Sequence, residues 1–165
     1  MDHLLGLLSI RVQKGVNLAA TDHIRGGDPY VVFRLGNQTL KTGVVKNTLN
    51  PVWDEVLTLP IFEPITIKME VYDKDRFSRD DEMGDADLDI KPLIEVLRLR
   101  LDDLPNETII ATIKPTRTNC LAEESNITWS KGEVIQNMVL RLRNAVSGEV
   151  EVQLGWINVP GSKGL

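Results

Sequence analysis

The sequence predicts a mostly β fold with one hydrophobic core. Most of the patterned segments alternate apolar and polar residues, the period that puts one face of a strand into a core. One segment, beginning at Pro92, instead has the period of an amphipathic helix. At 165 residues with 42% hydrophobic content, the chain has the size of a single domain with a substantial core.

The first half of the chain predicts a series of strands. Leu8, Ile10 and Val12 alternate with polar residues and begin the series. Pro29 can start a strand but cannot lie inside a central one, so the next strand is expected from Tyr30. Further strands are expected at residues 30–35, 39–45, 53–59 and 65–71.

In the second half, residues 86–90 predict a strand whose outward aspartates, Asp85, Asp87 and Asp89, are expected to be solvated. The helix is expected to begin at Pro92, which suits a first helical turn, and the spacing of Leu93, Leu97 and Leu101 predicts an apolar stripe along it. The remaining expected elements are a strand at 109–113, an irregular polar surface segment at 114–126, and a closing hairpin of strands at 138–142 and 150–156.

An acidic loop follows the strand at 65–71. Asp73 and Asp75 leave the strand end on the same side, and Asp81 closes the loop. Two carboxylates about 4 Å apart repel by roughly 4 kcal/mol at an effective dielectric near 20, so a convergent set needs a cation or stays apart in water. Hard carboxylate oxygens suit calcium. An ordinary solvated turn has the same composition, and that alternative stays open at this point.

The loop is not an EF-hand. Counted from Asp73, an EF-hand needs Gly at its sixth position and Glu at its twelfth, where this chain has Ser78 and Gly84. Any calcium site must therefore take ligands from elsewhere in the chain. Asp22 and Asp28, in the loop before the strand at Tyr30, are the candidates.

Three short motifs occur in order: Gly26-Gly27-Asp28-Pro29-Tyr30, Asn50-Pro51-Val52-Trp53-Asp54-Glu55 and Val71-Tyr72-Asp73-Lys74-Asp75. Together they resemble a C2 domain, a family whose fold is an eight-stranded antiparallel β-sandwich with calcium-binding loops at one end. The resemblance implies side-chain ligands and, from two residues, backbone carbonyl ligands. The implied metal ligands are Thr21, Asp22, Asp28, Asp73, Lys74, Asp75 and Asp81, with Thr21 and Lys74 contributing carbonyls.

The chain is interpreted as a single C2 domain spanning residues 1–165, with an insertion at about 91–132. The segment from Asn119 to Ser125, followed by Trp129, and the C-terminal segment from Gly155 to Leu165 resemble the plant C2-domain abscisic-acid-related proteins. This resemblance implies calcium-dependent binding to anionic phospholipid. It also implies recruitment of abscisic acid receptors of the pyrabactin-resistance-like family and, for some relatives, stimulation of an Obg-like GTPase. The expected locations are the plasma membrane, peripherally, and the cytoplasm and nucleus.

The loops also carry candidate lipid contacts. Ile24 and Phe77 lie in the middle of their loops beside Arg25, Arg76 and Arg79, as shallow insertion next to phosphates requires. Packing between the loops is the alternative for Ile24 and Phe77. A second basic patch is predicted on a strand face, with a solvated sheet face as its alternative. Its residues are Arg34, Lys41, Lys46 and Lys68.

Composition narrows the function classes. The net charge of −5 argues against nucleic acid and would repel anionic lipid, a repulsion that bound calcium would offset. The sequence has no phosphate-binding Gly-Lys-Ser loop and no nucleophile elbow, so a binding module is favoured over an enzyme. The one cysteine, Cys120, cannot form an internal disulfide, which indicates a reducing, intracellular setting.

Overall fold

The computed structural model describes residues 3–21 and 26–165, and these form ten β-strands in two antiparallel sheets together with one helix. The mostly β class and the sandwich architecture are thus confirmed. The elements, in chain order, are β1 (Gly6–Val16), β2 (Pro29–Leu35), β3 (Gln38–Lys41), β4 (Val52–Ile61), β5 (Ile67–Asp73), β6 (Asp81–Leu88), α1 (Lys91–Arg98), β7 (Thr108–Ile113), β8 (Ser125–Ser130), β9 (Glu133–Arg141) and β10 (Glu149–Ile157).

One sheet has the strand order β4-β1-β10-β9-β8-β7, and the other has β3-β2-β5-β6. Alternation along the strands fills the space between the sheets, as a period of two requires. In β1, for example, Leu8, Ile10 and Val12 are fully buried, whereas the residues between them face outward. Residues from both sheets and the helix form one continuous core cluster.

The strand count exceeds the expected eight because the predicted insertion contributes two strands. Eight of the ten strands in the described part of the chain lie outside residues 91–132, and β7 and β8 lie inside it. The segment at 114–126 was expected to be irregular throughout, but β8 begins within it, at Ser125. β8 pairs with both β7 and β9, and its Ile127 is fully buried.

The helix is a core element. It ends at Arg98 rather than at Leu101, and the left-handed φ of 52° at Arg100 marks its end. Leu93, Ile94 and Val96 are buried. Among the described residues, no helix is long and apolar enough to span a membrane.

The insertion also covers the edge of β9. β8 pairs with residues 133–136 of β9, and the segment 120–122, which precedes β8, lies alongside the rest of β9. The Arg141 N–H donates to the Cys120 carbonyl at 2.7 Å, and the Ala122 N–H donates to the Val139 carbonyl at 2.9 Å. β9 is therefore covered along its length, which removes an edge open to pairing with another chain.

The expectation that Asp85 is solvated was wrong. Asp85 is 5% exposed. Its Oδ1 accepts from Arg143 Nη2 at 2.9 Å and its Oδ2 accepts from Asn144 Nδ2 at 2.7 Å. Arg143 also donates to Asp87 Oδ2 at 3.0 Å. These bonds attach the β9–β10 loop to β6, a long-range contact that the strand pattern does not reveal.

Candidate metal and lipid site at one end of the sandwich

Three neighbouring strands bring aspartates to the same end of the smaller sheet. Pro29 of β2 pairs with Asp73 of β5, and Asp73 pairs with Asp81 of β6. Asp28, directly before Pro29, therefore lies beside the ends of β5 and β6. The Asp28 N–H donates to Asp73 Oδ1 at 2.8 Å, and the Thr21 hydroxyl donates to Asp73 Oδ2 at 2.6 Å. The two acidic loops meet, as the sequence predicted.

Asp28 ties these loops to a third. Its Oδ1 accepts from the Asn47 N–H at 2.8 Å, and its backbone carbonyl accepts from the Lys74 N–H at 3.0 Å. Residue Asn47 follows β3, so the β3–β4 loop is held at the same end. Asp28 thus joins segments before β2, after β3 and after β5. Its backbone makes the contacts to the end of β5, and its side chain holds the β3–β4 loop.

Asp75 is turned toward its own loop. Its Oδ1 accepts from the Phe77 N–H at 2.9 Å, and its Oδ2 accepts from the Ser78 hydroxyl at 2.9 Å. These hydrogen bonds, with that of Phe77 the larger influence, hold the pKa of Asp75 below its usual range. The side chain is therefore ionised at neutral pH and arranges the turn that carries Phe77.

Asp80 organises the same loop, although only its neighbour Asp81 was predicted to have a role. Asp80 Oδ1 accepts from the Asp75 N–H at 2.9 Å, and its carboxylate accepts from the Tyr30 hydroxyl. Lys74 Nζ lies 3.7 Å from Asp80 Oδ2. The Tyr30 hydrogen bond lowers the pKa of Asp80, whereas burial and the same bond raise the pKa of Tyr30. The loop is thereby fixed to the outer face of β2.

The donors fit a hard cation in chemical type. All seven predicted metal ligands would contribute oxygen atoms, the ligand type that calcium takes. Within residues 3–21 and 26–165, no group of three or more His, Cys, Asp or Glu side chains is arranged to hold a metal ion. The predicted ligand Asp22 and the predicted lipid contacts Ile24 and Arg25 lie outside the described residues.

The tip of the β5–β6 loop is apolar and basic. Phe77 is 95% exposed, and Arg76 and Arg79 beside it are also exposed. The alternative in which Phe77 packs between the loops does not describe this structure. An aromatic ring in water beside two guanidinium groups is suited to contact an anionic, partly apolar surface.

A second exposed apolar side chain, Val146, lies at the same end and was not predicted. It is 95% exposed in the loop between β9 and β10. The pairing of Val16 with Glu149 and a 2.9 Å hydrogen bond from the Ser147 hydroxyl to the Asn17 carbonyl place this loop beside the β1–β2 loop. The sequence signal that could have located this exposed side chain is an apolar residue directly before the Ser147-Gly148 turn.

The predicted basic patch is divided. Arg34 and Lys68 are direct partners across β2 and β5, and Lys41 lies opposite Val32 on the neighbouring strand. Arg34 Nε donates to Glu70, which reduces the positive charge of this face. Lys46 lies farther along, next to Asn47, whose N–H bonds Asp28. The structure therefore puts Lys46 nearer the carboxylates than the rest of the patch.

Comparison with known proteins agrees with this architecture. The C2 domain family matches residues 6–109. Among solved structures, the first C2 domain of plant Extended Synaptotagmin 1 has a TM-score of 0.62 at 20% identity, covering 94% of this chain and 97% of that one. At that identity the likeness shows the fold alone.

Two curated plant relatives match the whole chain. Protein C2-DOMAIN ABA-RELATED 4 of Arabidopsis thaliana is 57% identical, over 100% of this chain and 93% of the relative. GTPase activating protein 1 of Oryza sativa subsp. indica is 51% identical, over 100% of this chain and 99% of the relative. The C2 family match and the C2-DOMAIN ABA-RELATED relative suggest a binding module. The chain belongs to the C2 domain family and, within it, to the plant C2-domain ABA-related proteins.

Proposed function

We propose that the protein is a calcium-dependent phospholipid-binding adaptor that recruits abscisic acid receptors to the plasma membrane. The observation that carries the lipid part is the exposure of Phe77, at 95%, between two exposed arginines on the loop that the carboxylates organise. C2 domains in general bind phospholipid membranes, which supports this reading.

Calcium supplies the charge change that the proposal requires. When bound, it offsets the carboxylates and attracts lipid phosphate or carboxylate oxygens. Asp28, Asp73, Asp75 and Asp81 would hold it, together with Asp22 and the carbonyls of Thr21 and Lys74. In the chain itself, Asp75 and Asp80 keep the loop folded around Phe77, and Arg76 and Arg79 face the anionic surface.

The lipid proposal is tested by vesicle sedimentation with and without calcium, with calorimetry of calcium binding in parallel. Asp73→Asn should remove both the calcium heat and calcium-dependent sedimentation. Asp103→Asn is the matched control, because Asp103 lies in the α1–β7 connection, away from the loops. Sedimentation of Asp73→Asn at the wild-type level would contradict the switch.

The name of the Arabidopsis relative, which calls it ABA-related, supports a link to abscisic acid, and the receptor contact is our inference from that link. We assign the contact to the predicted insertion, where Arg117, Glu123 and Glu124 are exposed. Asn119, in the same segment, is not assigned to this contact surface, because its side chain is already bonded within its own loop. Its Oδ1 accepts from the Thr116 N–H at 2.8 Å, and its Nδ2 donates to the Lys114 carbonyl at 2.9 Å. Replacing the three exposed residues by Ala should reduce receptor pull-down and leave vesicle binding intact. Retention of both activities would place the partner surface elsewhere.

In cells, the proposal predicts a protein at the plasma membrane when calcium is raised, with cytoplasmic and nuclear pools otherwise. A fluorescent fusion tests this directly. Wild-type protein should move to the membrane after a calcium ionophore, and Asp73→Asn should stay diffuse.

A second function, stimulation of a GTPase, is favoured by the name of the rice relative. We expect that GTPase to be of the Obg-like class. Arg98 and Arg117 are exposed in the insertion, and an arginine given to a GTPase stabilises transition-state charge. A single-turnover GTP hydrolysis assay with the two single Ala variants tests it. Stimulation that survives both changes would exclude Arg98 and Arg117 as the donated arginine.

A further inference from the structure

Ser78 carries an exposed hydroxyl at the tip of the β5–β6 loop, directly after Phe77. The residues from 74 to 80 belong to no strand or helix. The Ser78 hydroxyl donates to Asp75 Oδ2 at 2.9 Å, within its own loop. Exposed loop tips with polar residues are where enzymes most readily reach a chain, since no sheet has to open. The hydroxyl is therefore accessible for chemistry that the proposed function does not use.

Acidic residues follow Ser78 at the second, third and fourth positions: Asp80, Asp81 and Glu82. Among the serines and threonines of the chain, only Ser78 and Ser130 have a carboxylate three positions later. Ser130 ends β8, where it pairs with Glu133, and its hydroxyl donates to Glu107 Oε1 at 2.8 Å. Ser78 is therefore the one residue of this pattern that lies in a loop.

The acids after Ser78 have different surroundings. Asp80 is partly buried and bonded to its own loop and to Tyr30. Asp81 and Glu82, at the start of β6, are both exposed. A basic enzyme surface that pairs with these two carboxylates would place Ser78 at a fixed distance from the pairing groups. The sequence and the exposure together fit a protein kinase that selects serine by acidic residues on its C-terminal side.

We propose that Ser78 is phosphorylated by a kinase of this acid-directed class, and that the phosphate releases the domain from anionic membranes. In the reaction, Ser78 Oγ attacks the γ-phosphorus of ATP and forms an oxygen–phosphorus bond. The bond from that phosphorus to the β–γ bridging oxygen breaks, ADP leaves, and the hydroxyl proton passes to a base of the kinase. The modification site stands on this chain's residues alone, whereas its effect on membranes rests on the proposed function.

Phosphorylation would remove the positive charge of the loop tip. Arg76 and Arg79 are exposed on either side of Ser78, and a phosphoserine carries about −1.5 to −2 charges at neutral pH. The phosphate would thus neutralise the two guanidinium groups, and it would be repelled by Asp75, the present partner of the hydroxyl. Each basic residue near an anionic membrane contributes about fivefold to affinity, so loss of both charges should weaken calcium-dependent vesicle binding about thirtyfold.

The site is tested first, on calcium-free protein incubated with casein kinase 2 and ATP, with the phosphate located by mass spectrometry. The wild type should carry one phosphate, at Ser78, and Ser78→Ala should carry none. The double change Asp81→Asn and Glu82→Gln should slow the reaction about tenfold, whereas Ser130→Ala, the matched control, should leave it unchanged. A phosphate elsewhere with Ser78 unmodified, or a rate indifferent to the two acids, would overturn the inference.

The effect is tested by titrating phosphatidylserine vesicles, at saturating calcium, into unmodified and phosphorylated protein. Phosphorylation should weaken binding about thirtyfold, and treatment with a phosphatase should restore it. Vesicles with calcium should in turn protect Ser78 from the kinase, because its neighbours then face lipid. Equal binding of the two forms would overturn the release by phosphate. Failure of the unmodified protein to bind would instead refute the proposed function, and the mass spectrum would still decide the Ser78 assignment.

Discussion

Removing the two exposed apolar tips should weaken membrane binding without affecting calcium affinity. Phe77 and Val146 are each 95% exposed in solution, so almost all of their surface is available for burial in lipid. Complete burial of a side chain of this size is worth roughly 1.5 to 3 kcal/mol. Insertion to about half that depth leaves about 1 kcal/mol for Phe77 and somewhat less for Val146.

These values predict that Phe77→Ala lowers vesicle affinity about fivefold, and that adding Val146→Ala lowers it about twentyfold in total, since the side chains are on separate loops. The assay is titration with phosphatidylserine vesicles at saturating calcium, beside lipid-free calorimetry, where calcium affinity should be unchanged. Ile109→Ala is the control: it is 57% exposed, but on edge strand β7. The reasoning fails if the double variant binds vesicles as the wild type does, or if Ile109→Ala loses as much.

Three further outcomes follow from the contacts. Arg143→Gln should lower the free energy of unfolding by about 1 to 2 kcal/mol at pH 7, since Asp85 loses a buried partner while Arg143 itself is half exposed. Burial opposes ionisation of Asp85, but its bonds to Asn144 and Arg143 outweigh this and lower its pKa. That stabilisation is present above the ordinary carboxyl pKa near 4 and is lost as the pH falls below it. Urea unfolding should therefore show the wild type and the variant converging toward pH 3; a constant gap would contradict the assignment. Tyr30→Phe should cost about 1 kcal/mol in the same assay and increase hydrogen exchange at Asp75 and Phe77, whereas unchanged exchange would mean that Asp80 holds the loop unaided. Asp28→Ala, which removes the oxygen that accepts from the Asn47 N–H, should weaken calcium binding and loosen the Asn47 loop together, and a calcium defect with no exchange change at Asn47 would separate the two roles.

The predictable part of the fold is the part that depends on local pattern. The alternation at Leu8, Ile10 and Val12 by itself indicates which side chains are buried, so β1 could be located from the sequence. Asp85 could not be assessed in this way, because its environment is supplied by Arg143, a residue 58 positions later. The strand β8 was also missed, since its start is polar and its pairing depends on β9.

For the site, the sequence located the converging loops but not their internal contacts. The Asp28 and Asp73 positions follow from strand ends, and the structure brings them into contact. The assignment of Asp81 rather than Asp80 came from the family resemblance, which identifies ligands and not the residues that support them. The pairing of Tyr30 with Asp80 joins positions 50 residues apart, and no local pattern encodes it. The exposure of Val146 likewise depends on how the β9–β10 loop lies against β1.

The distribution of charge favours one orientation on a membrane. The loop end carries Phe77, Val146 and the neighbouring arginines, whereas the larger sheet presents a shallow outer groove lined by glutamates. These are Glu107, Glu123, Glu124 and Glu151. An anionic bilayer repels that face and attracts the calcium-loaded tip, so the domain should stand on its loops with the groove turned away from the lipid. Glu123 and Glu124 belong to the predicted insertion. The same electrostatics that would orient the domain would therefore leave the proposed receptor-binding segment in water, which is the arrangement that the proposed simultaneous binding of lipid and receptor requires.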